Sequence, residues 1–178
     1  MAPGELLTRW TVWLALALYV LSLSLRLVGR GRLRWSLWAR LAWTGGYLAF
    51  LVHVICAFHF YHHWSHAAAY EATAQQTAEV AGQRWGAGLF ANYAFALVWG
   101  ADVLSWWLSL ESYRARPRLI GCAVQGFLAF IAFNATVVFG AGVIRWLGLG
   151  ACVLLAGLLG YAVLRRGKRN GDTARRTV

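Results

Sequence analysis

Five stretches of this chain are each apolar over about 20 residues, the length a helix needs to cross the hydrocarbon of a bilayer. They fall at residues 10–28, 41–61, 88–110, 119–139 and 143–164. The runs are continuous rather than alternating, which argues against barrel strands. Hydrophobic residues make up 60% of the chain and charged residues 13%, so little is left for a soluble domain. The sequence therefore predicts an all-α integral membrane protein with one five-helix transmembrane domain over residues 1–166. A basic tail over residues 167–178 is expected to be disordered and cytoplasmic.

The basic residues orient those helices, because Lys and Arg are retained on the cytoplasmic side. Arg26, Arg30, Arg32, Arg34 and Arg40 follow the first run, and Arg114, Arg116 and Arg118 follow the third. Arg165, Arg166, Lys168, Arg169, Arg175 and Arg176 follow the fifth. Of the 17 basic residues, Arg9, Arg84 and Arg145 alone fall on the other side. An outside N-terminus and a cytoplasmic C-terminus are expected, with the lipid bilayer as the first partner. The net charge of +11 then belongs to an inner face near anionic headgroups, where each basic residue contributes on the order of 1 kcal/mol. It is not a nucleic-acid footprint.

Glu5 and a lone Arg9 precede the first run while the strong positive charge follows it, so that run reads as a retained anchor rather than a cleaved signal. Trp10, Trp13, Trp64, Trp85 and Trp146 fall at expected outer ends, and Trp35, Trp38, Trp106 and Trp107 at inner ends, as indoles do at headgroup level. Trp43 and Trp99 lie deeper and are expected to pack between helices. Cys56, Cys122 and Cys152 all sit within spans, which implies no disulfide framework. The last run repeats small residues at Gly148, Cys152, Ala156 and Gly160, a spacing that permits close helix contact in lipid. The preponderance of Arg over Lys points to a GC-rich bacterial genome, and so to a bacterial inner membrane.

All five histidines lie between positions 53 and 66: His53, His59, His62, His63 and His66. The connection over residues 62–87 is rich in Ala, Glu, Gln and Thr and free of Pro, which favours helix. The second helix is therefore expected to extend beyond the membrane until Gly82, Gly86 and Gly88 turn the chain. On one continuous helix at about 100° per residue, His59, His62, His63 and His66 share an arc of about 100°, two turns tall. His53 lies about 120° away and deeper. Imidazole is the commonest biological metal ligand and suits Cu, Zn and Fe. His59 with His63, and His62 with His66, have the spacing at which one helix grips one ion. Glu71, on the same extension, either supplies an oxygen ligand or joins Glu79 on a solvated face.

His59-Phe60-Tyr61-His62-His63 reads H-x-x-H-H, and His62 to His66 reads H-x-x-x-H. Both resemble boxes of the membrane fatty-acid desaturases and hydroxylases, whose di-iron sites oxidise lipid chains. Those families draw their ligands from several separate boxes that face the cytoplasm, and here one box faces outward, so the identification is rejected. His53 and His66 are also spaced like the ligands of two stacked b-type haems on one helix. Haem b ranks below a simple metal ion, because no other span carries a histidine and a homodimer or partner subunit would have to supply the opposing ligands.

Polar residues at matched depth outline a pocket beneath the histidines. At about 1.5 Å per residue, Asn92 is about 6 Å, Asn134 about 8 Å and His53 about 12 Å from the outer ends of their spans, and Tyr93 and Thr136 share that leaflet. Asp102 is the single acid inside a span, with Thr44 and Gln125 at similar depth. It is expected to be neutral and hydrogen-bonded to Gln125 or Thr44, stitching two helices together. The sequence thus predicts an outward metal site with a redox or metal-handling role. A non-catalytic subunit of a respiratory or photosynthetic assembly comes second, and a small transporter third. Homo-oligomers or partner membrane subunits are expected. No nucleophile–base pair, phosphate loop or acid dyad supports a hydrolase or kinase.

Overall fold

The computed structural model describes residues 3–29 and 33–176, with side chains described through Arg165. Arg30 and Arg32 of the first basic loop, the basic side chains after Arg165, and residues 177–178 of the expected tail lie outside the described residues. Helix α1 (Pro3–Val28) opens on proline, which a first helical turn tolerates because its N–H has no intrahelical partner. There follow α2 (Leu33–Phe60), α3 (His66–Ala81), α4 (Gly88–Leu108), the short α5 (Leu110–Ala115), α6 (Arg118–Phe133) and α7 (Val143–Arg176). A π turn at Asn134–Val138 prolongs α6. The described residues contain no strand.

Five helices, α1, α2, α4, α6 with its π turn, and α7, are long and apolar enough to cross a membrane. Consecutive spans run antiparallel, so the bundle has two ends. One carries the histidines, and the other carries Arg26, Arg40, Arg114 and Arg116. The backbone of α7 stays helical through Arg176, where the sequence reading places a disordered tail.

The core is aromatic and lies nearer the arginine end. Trp43, Trp99, Tyr19, Phe95 and Trp106 form its centre with Leu128 from α6. Trp43 and Trp99 are 0% and 2% exposed, as their depth in the sequence leads one to expect. Tyr19, Trp43 and Trp99 meet with ring centroids 5.2–5.6 Å apart, a separation at which edge and face contacts add to simple burial. Such packing needs close backbone approach. A Cβ on Gly46 would stand 3.1 Å from the Trp99 ring and 3.3 Å from the Ala15 carbonyl, so glycine lets α1, α2 and α4 converge there. Trp106 belongs to this core rather than to an interfacial belt. It is buried, and α5 folds Tyr113 flat against it at 4.8 Å.

The expected extension of α2 beyond the membrane is corrected. Helix α2 stops at Phe60, and a separate helix α3 starts at His66. Between them His63 and Trp64 take positive φ, 46° and 61°, a left-handed conformation that ends a right-handed helix. The Trp64 N–H reaches back to the Phe58 carbonyl at 3.0 Å, closing the last turn of α2. Ser65 then caps α3, its hydroxyl accepting from the Ala68 N–H at 3.2 Å. The two helices therefore have different axes, and angular positions cannot be carried from one to the other. Gly82, at φ 72°, ends α3 as expected. Buried Ala69 and Ala74 seat α3 against the start of α4.

Candidate functional site

The break at residues 61–65 disperses the histidine arc. His59 rides the last turn of α2, with its ring 4.8 Å from Phe60. His62 and His63 occupy the turn, and His66 opens α3. His62 is half-buried and packs edge-on to Phe58 at 5.6 Å. Burial, with the nearby His63 second, lowers its pKa from the ordinary histidine value of 6.5. His66 Nδ1 is 2.8 Å from the Tyr93 hydroxyl, which ties α3 to α4. His53 donates from Nδ1 to the Thr8 carbonyl at 2.9 Å, which ties α2 to α1. Glu71 is in an ion pair with Arg84 on the exposed surface of the same connection, where such pairs contribute little. Among the described residues, no three His, Cys, Asp or Glu side chains converge where they could hold a metal ion. The five histidines are thus spread over α2, the turn and the start of α3.

A cleft with mostly apolar walls lies at the depth where the sequence places a polar pocket. A half-enclosed cavity of about 410 Å³ opens between the spans at the histidine end. All five spans line it: Arg9, Trp13 and Tyr19 from α1, His53 from α2, Asn92 and Trp99 from α4, Thr136 from the π turn and Ile144 from α7. Of the residues expected to share this depth, His53, Asn92 and Thr136 reach the cavity, while Asn134 and Tyr93 do not. The Asn134 amide donates to the Phe130 carbonyl of its own helix at 2.7 Å. A second cavity of about 300 Å³, lined almost wholly by apolar residues of α1, α6 and α7, shares Trp13, Leu16, Tyr19, Ala132, Thr136 and Ile144 with the first. The two adjoin along these shared residues, and the second has the more apolar walls.

Local structure keeps the cleft open. In the π turn the helix widens to i→i+5 bonds, as in Phe139 N–H to the Asn134 carbonyl at 2.9 Å. Such turns concentrate at functional sites, and this one sets Ala135 and Thr136 on the cavity wall. The Thr136 hydroxyl donates back to the Ala132 carbonyl at 2.8 Å. Gly148 of α7 lets the neighbouring helix close in, since a Cβ there would stand 2.6 Å from Thr136 Oγ1. The upper part of the small-residue ladder on α7 thus packs inside the bundle, whereas Gly160 faces open space.

Asp102 lies on the opposite side of the aromatic core, and its expected partners are corrected. Its Oδ2 accepts from Trp43 Nε1 and from the Tyr113 hydroxyl, each at 3.0 Å. Its Oδ1 forms an ion pair with Arg116 at 2.5 Å. The residue is paired with Arg116, Trp43 and Tyr113 rather than bonded to Gln125 or Thr44. Thr44 instead accepts from Trp107 Nε1 at 2.9 Å, and neither polar atom of Gln125 has a partner among the described residues. Arg116 precedes Pro117, and the proline ring forces it into an extended conformation, φ −55° and ψ 143°, between α5 and α6. Arg26 stands beside this pair with its guanidinium 5.0 Å from the Trp106 ring centroid and 5.9 Å from that of Tyr113. Sequence reasoning placed both arginines simply on the inner face. The Arg-Pro step was the available signal that Arg116 could turn back toward the bundle.

No family model, curated protein or solved structure matches this chain.

Proposed function

We propose that this protein holds a small lipid-like molecule in the cleft at its histidine end, within the outer leaflet of a bacterial inner membrane, N-terminus outside and C-terminus inside. The cavity carries this reading. Its volume of about 410 Å³ lies in the range of small-molecule sites, about 300–1,000 Å³, which combine mostly apolar walls with a few placed polar groups. Here Arg9, His53 and Asn92 supply the polar groups, and the neighbouring cavity of about 300 Å³ continues the apolar wall. An amphiphile matches that gradient.

A metal-handling role for the histidines has less support, because their rings sit on three separate elements and two of them already bond to Thr8 and Tyr93. A role as a subunit of a larger membrane assembly is compatible with ligand binding. It is favoured by the light embedding of the last two spans, each 11% buried within the bundle.

The test uses a neutral single-chain probe, palmityl alcohol, added to the protein purified in a non-ionic detergent. Native mass spectrometry should show one bound molecule. Ala132 lines both cavities, so Ala132→Trp should fill the cleft and weaken binding about tenfold or more with helix content unchanged. Equal binding by the folded, filled variant would overturn the reading.

A further inference from the structure

We infer that the molecule held in the cleft carries a hydroxylated aromatic ring, a phenol or hydroquinone, on an apolar tail. This inference rests on the reading of the cleft as a lipid-like site and specifies the head of its ligand. His53 decides the hydrogen bond. It lines the cavity, and its Nδ1 is 2.9 Å from the Thr8 carbonyl. A carbonyl can only accept, so Nδ1 carries a proton. In the neutral ring Nε2 is then an acceptor, and Nε2 has no hydrogen-bond partner among the described residues. Thr8 is buried, and this anchor holds the imidazole in one tautomer. His53 thus asks a ligand for a donor. A hydroxyl supplies one, whereas a ketone, an ester or a carboxylate does not.

The wall beside His53 is aromatic. Tyr19, Phe50, Phe95 and Trp99 all line the cavity. The Phe50 ring lies 6.4 Å from the His53 ring, stacks on Trp99 at 5.9 Å with 29° between the planes, and meets Phe95 edge-on at 5.0 Å. Tyr19 meets Trp99 at 5.6 Å. These rings run without a gap from His53 to Tyr19, contributed by α1, α2 and α4. A flat ring laid against them gains stacked and edge contacts beyond simple burial. A saturated chain gains burial alone.

The remaining wall suits the tail. Ile131, Ala132 and Ile144 of α6 and α7 line the cavity, and the adjoining cavity continues that aliphatic surface with Leu147, Ala151 and Leu155. Among the described residues lining either cavity there is no Asp or Glu, so a cationic head finds no carboxylate. A phenol brings no charge, since its O–H ionises only near about pH 10, and it enters the cleft without the cost of a buried ion. A hydroxylated ring at His53, with its chain along α6 and α7, uses both walls.

The experiment compares five probes of equal tail length on the intact protein, in non-ionic detergent without oxygen at about pH 7.5, above the ordinary histidine range. They are hexadecylphenol, hexadecylhydroquinone, hexadecylbenzoquinone, hexadecylbenzene and palmityl alcohol. The phenol or the hydroquinone should bind about tenfold or more tighter than the alcohol, which lacks the ring, and than the benzene and the quinone, which lack the donor. Tighter binding of the hydroquinone names a quinol as the source, and tighter or equal binding of the phenol names a phenolic lipid. His53→Phe should bring both hydroxylated rings down to the level of hexadecylbenzene. Unchanged binding of hexadecylbenzene reports that this variant is folded. Phe50→Leu should weaken the ring-bearing probes more than the alcohol. If the alcohol or the quinone binds as well as both hydroxylated rings, or their advantage survives in His53→Phe, the hydroxylated ring is wrong and the lipid-like site stands. If no probe binds, both fall.

Discussion

Asp102 sits in the last third of α4 with three donors converging on one carboxylate. Trp43, Tyr113 and Arg116 satisfy it, and its side chain is 2% exposed against 19% for Arg116. Removing one member of a buried pair leaves the other charge uncompensated, at a cost of about 3–5 kcal/mol. The partial exposure of Arg116 argues for the low end. Asp102→Asn should therefore destabilise the protein by about 3 kcal/mol in denaturant unfolding in detergent, and Arg116→Gln by a similar amount. The double variant should cost clearly less than the two together, because neither then strands a charge. Additive losses would mean that the two residues act separately. The sequence marks Asp102 as a residue needing partners but cannot name them, because Arg116 lies fourteen positions away and reaches it through the geometry of Arg116-Pro117.

The elements were legible in proportion to how long their pattern runs. Five spans follow from five apolar runs, because burial in hydrocarbon demands about 20 such residues in a row. The stop at Tyr61–Ser65 was not legible, since it depends on two non-glycine residues in the left-handed region, where nothing in the composition calls for a turn. The cap at Ser65 was the signal present. Of the candidate site, depth matching set His53, Asn92 and Thr136 at the level of one cavity, while the shared arc of histidines required a continuous helix that the chain does not form. This gives a test of opposite sign for the two geometries. His63→Gly should stabilise the protein by about 0.5–1 kcal/mol, because glycine adopts positive φ without a steric penalty. On an unbroken helix the same change would destabilise by about 1 kcal/mol. Unfolding of the variant measures the difference.

The whole molecule is asymmetric along its long axis. Its histidine end is hollow, and its arginine end is filled by Trp43, Trp106 and Tyr113 around Asp102. The proposed orientation predicts that reporter fusions within residues 75–82, on α3, are external and that fusions after Gly167 are cytoplasmic. An external C-terminus would reverse the leaflet assigned to the cleft. The filled end also bears on how the chain enters the bilayer during synthesis. An aspartate within an inserting helix opposes partition by up to about 2.5–3.5 kcal/mol, and its counter-ion lies fourteen residues downstream. At about 5–20 residues per second the ribosome needs roughly one to three seconds to deliver Arg116. During that interval α4 is a reluctant entrant, so α4, α5 and the start of α6 should pass from the translocon as one integrated hairpin rather than one helix at a time.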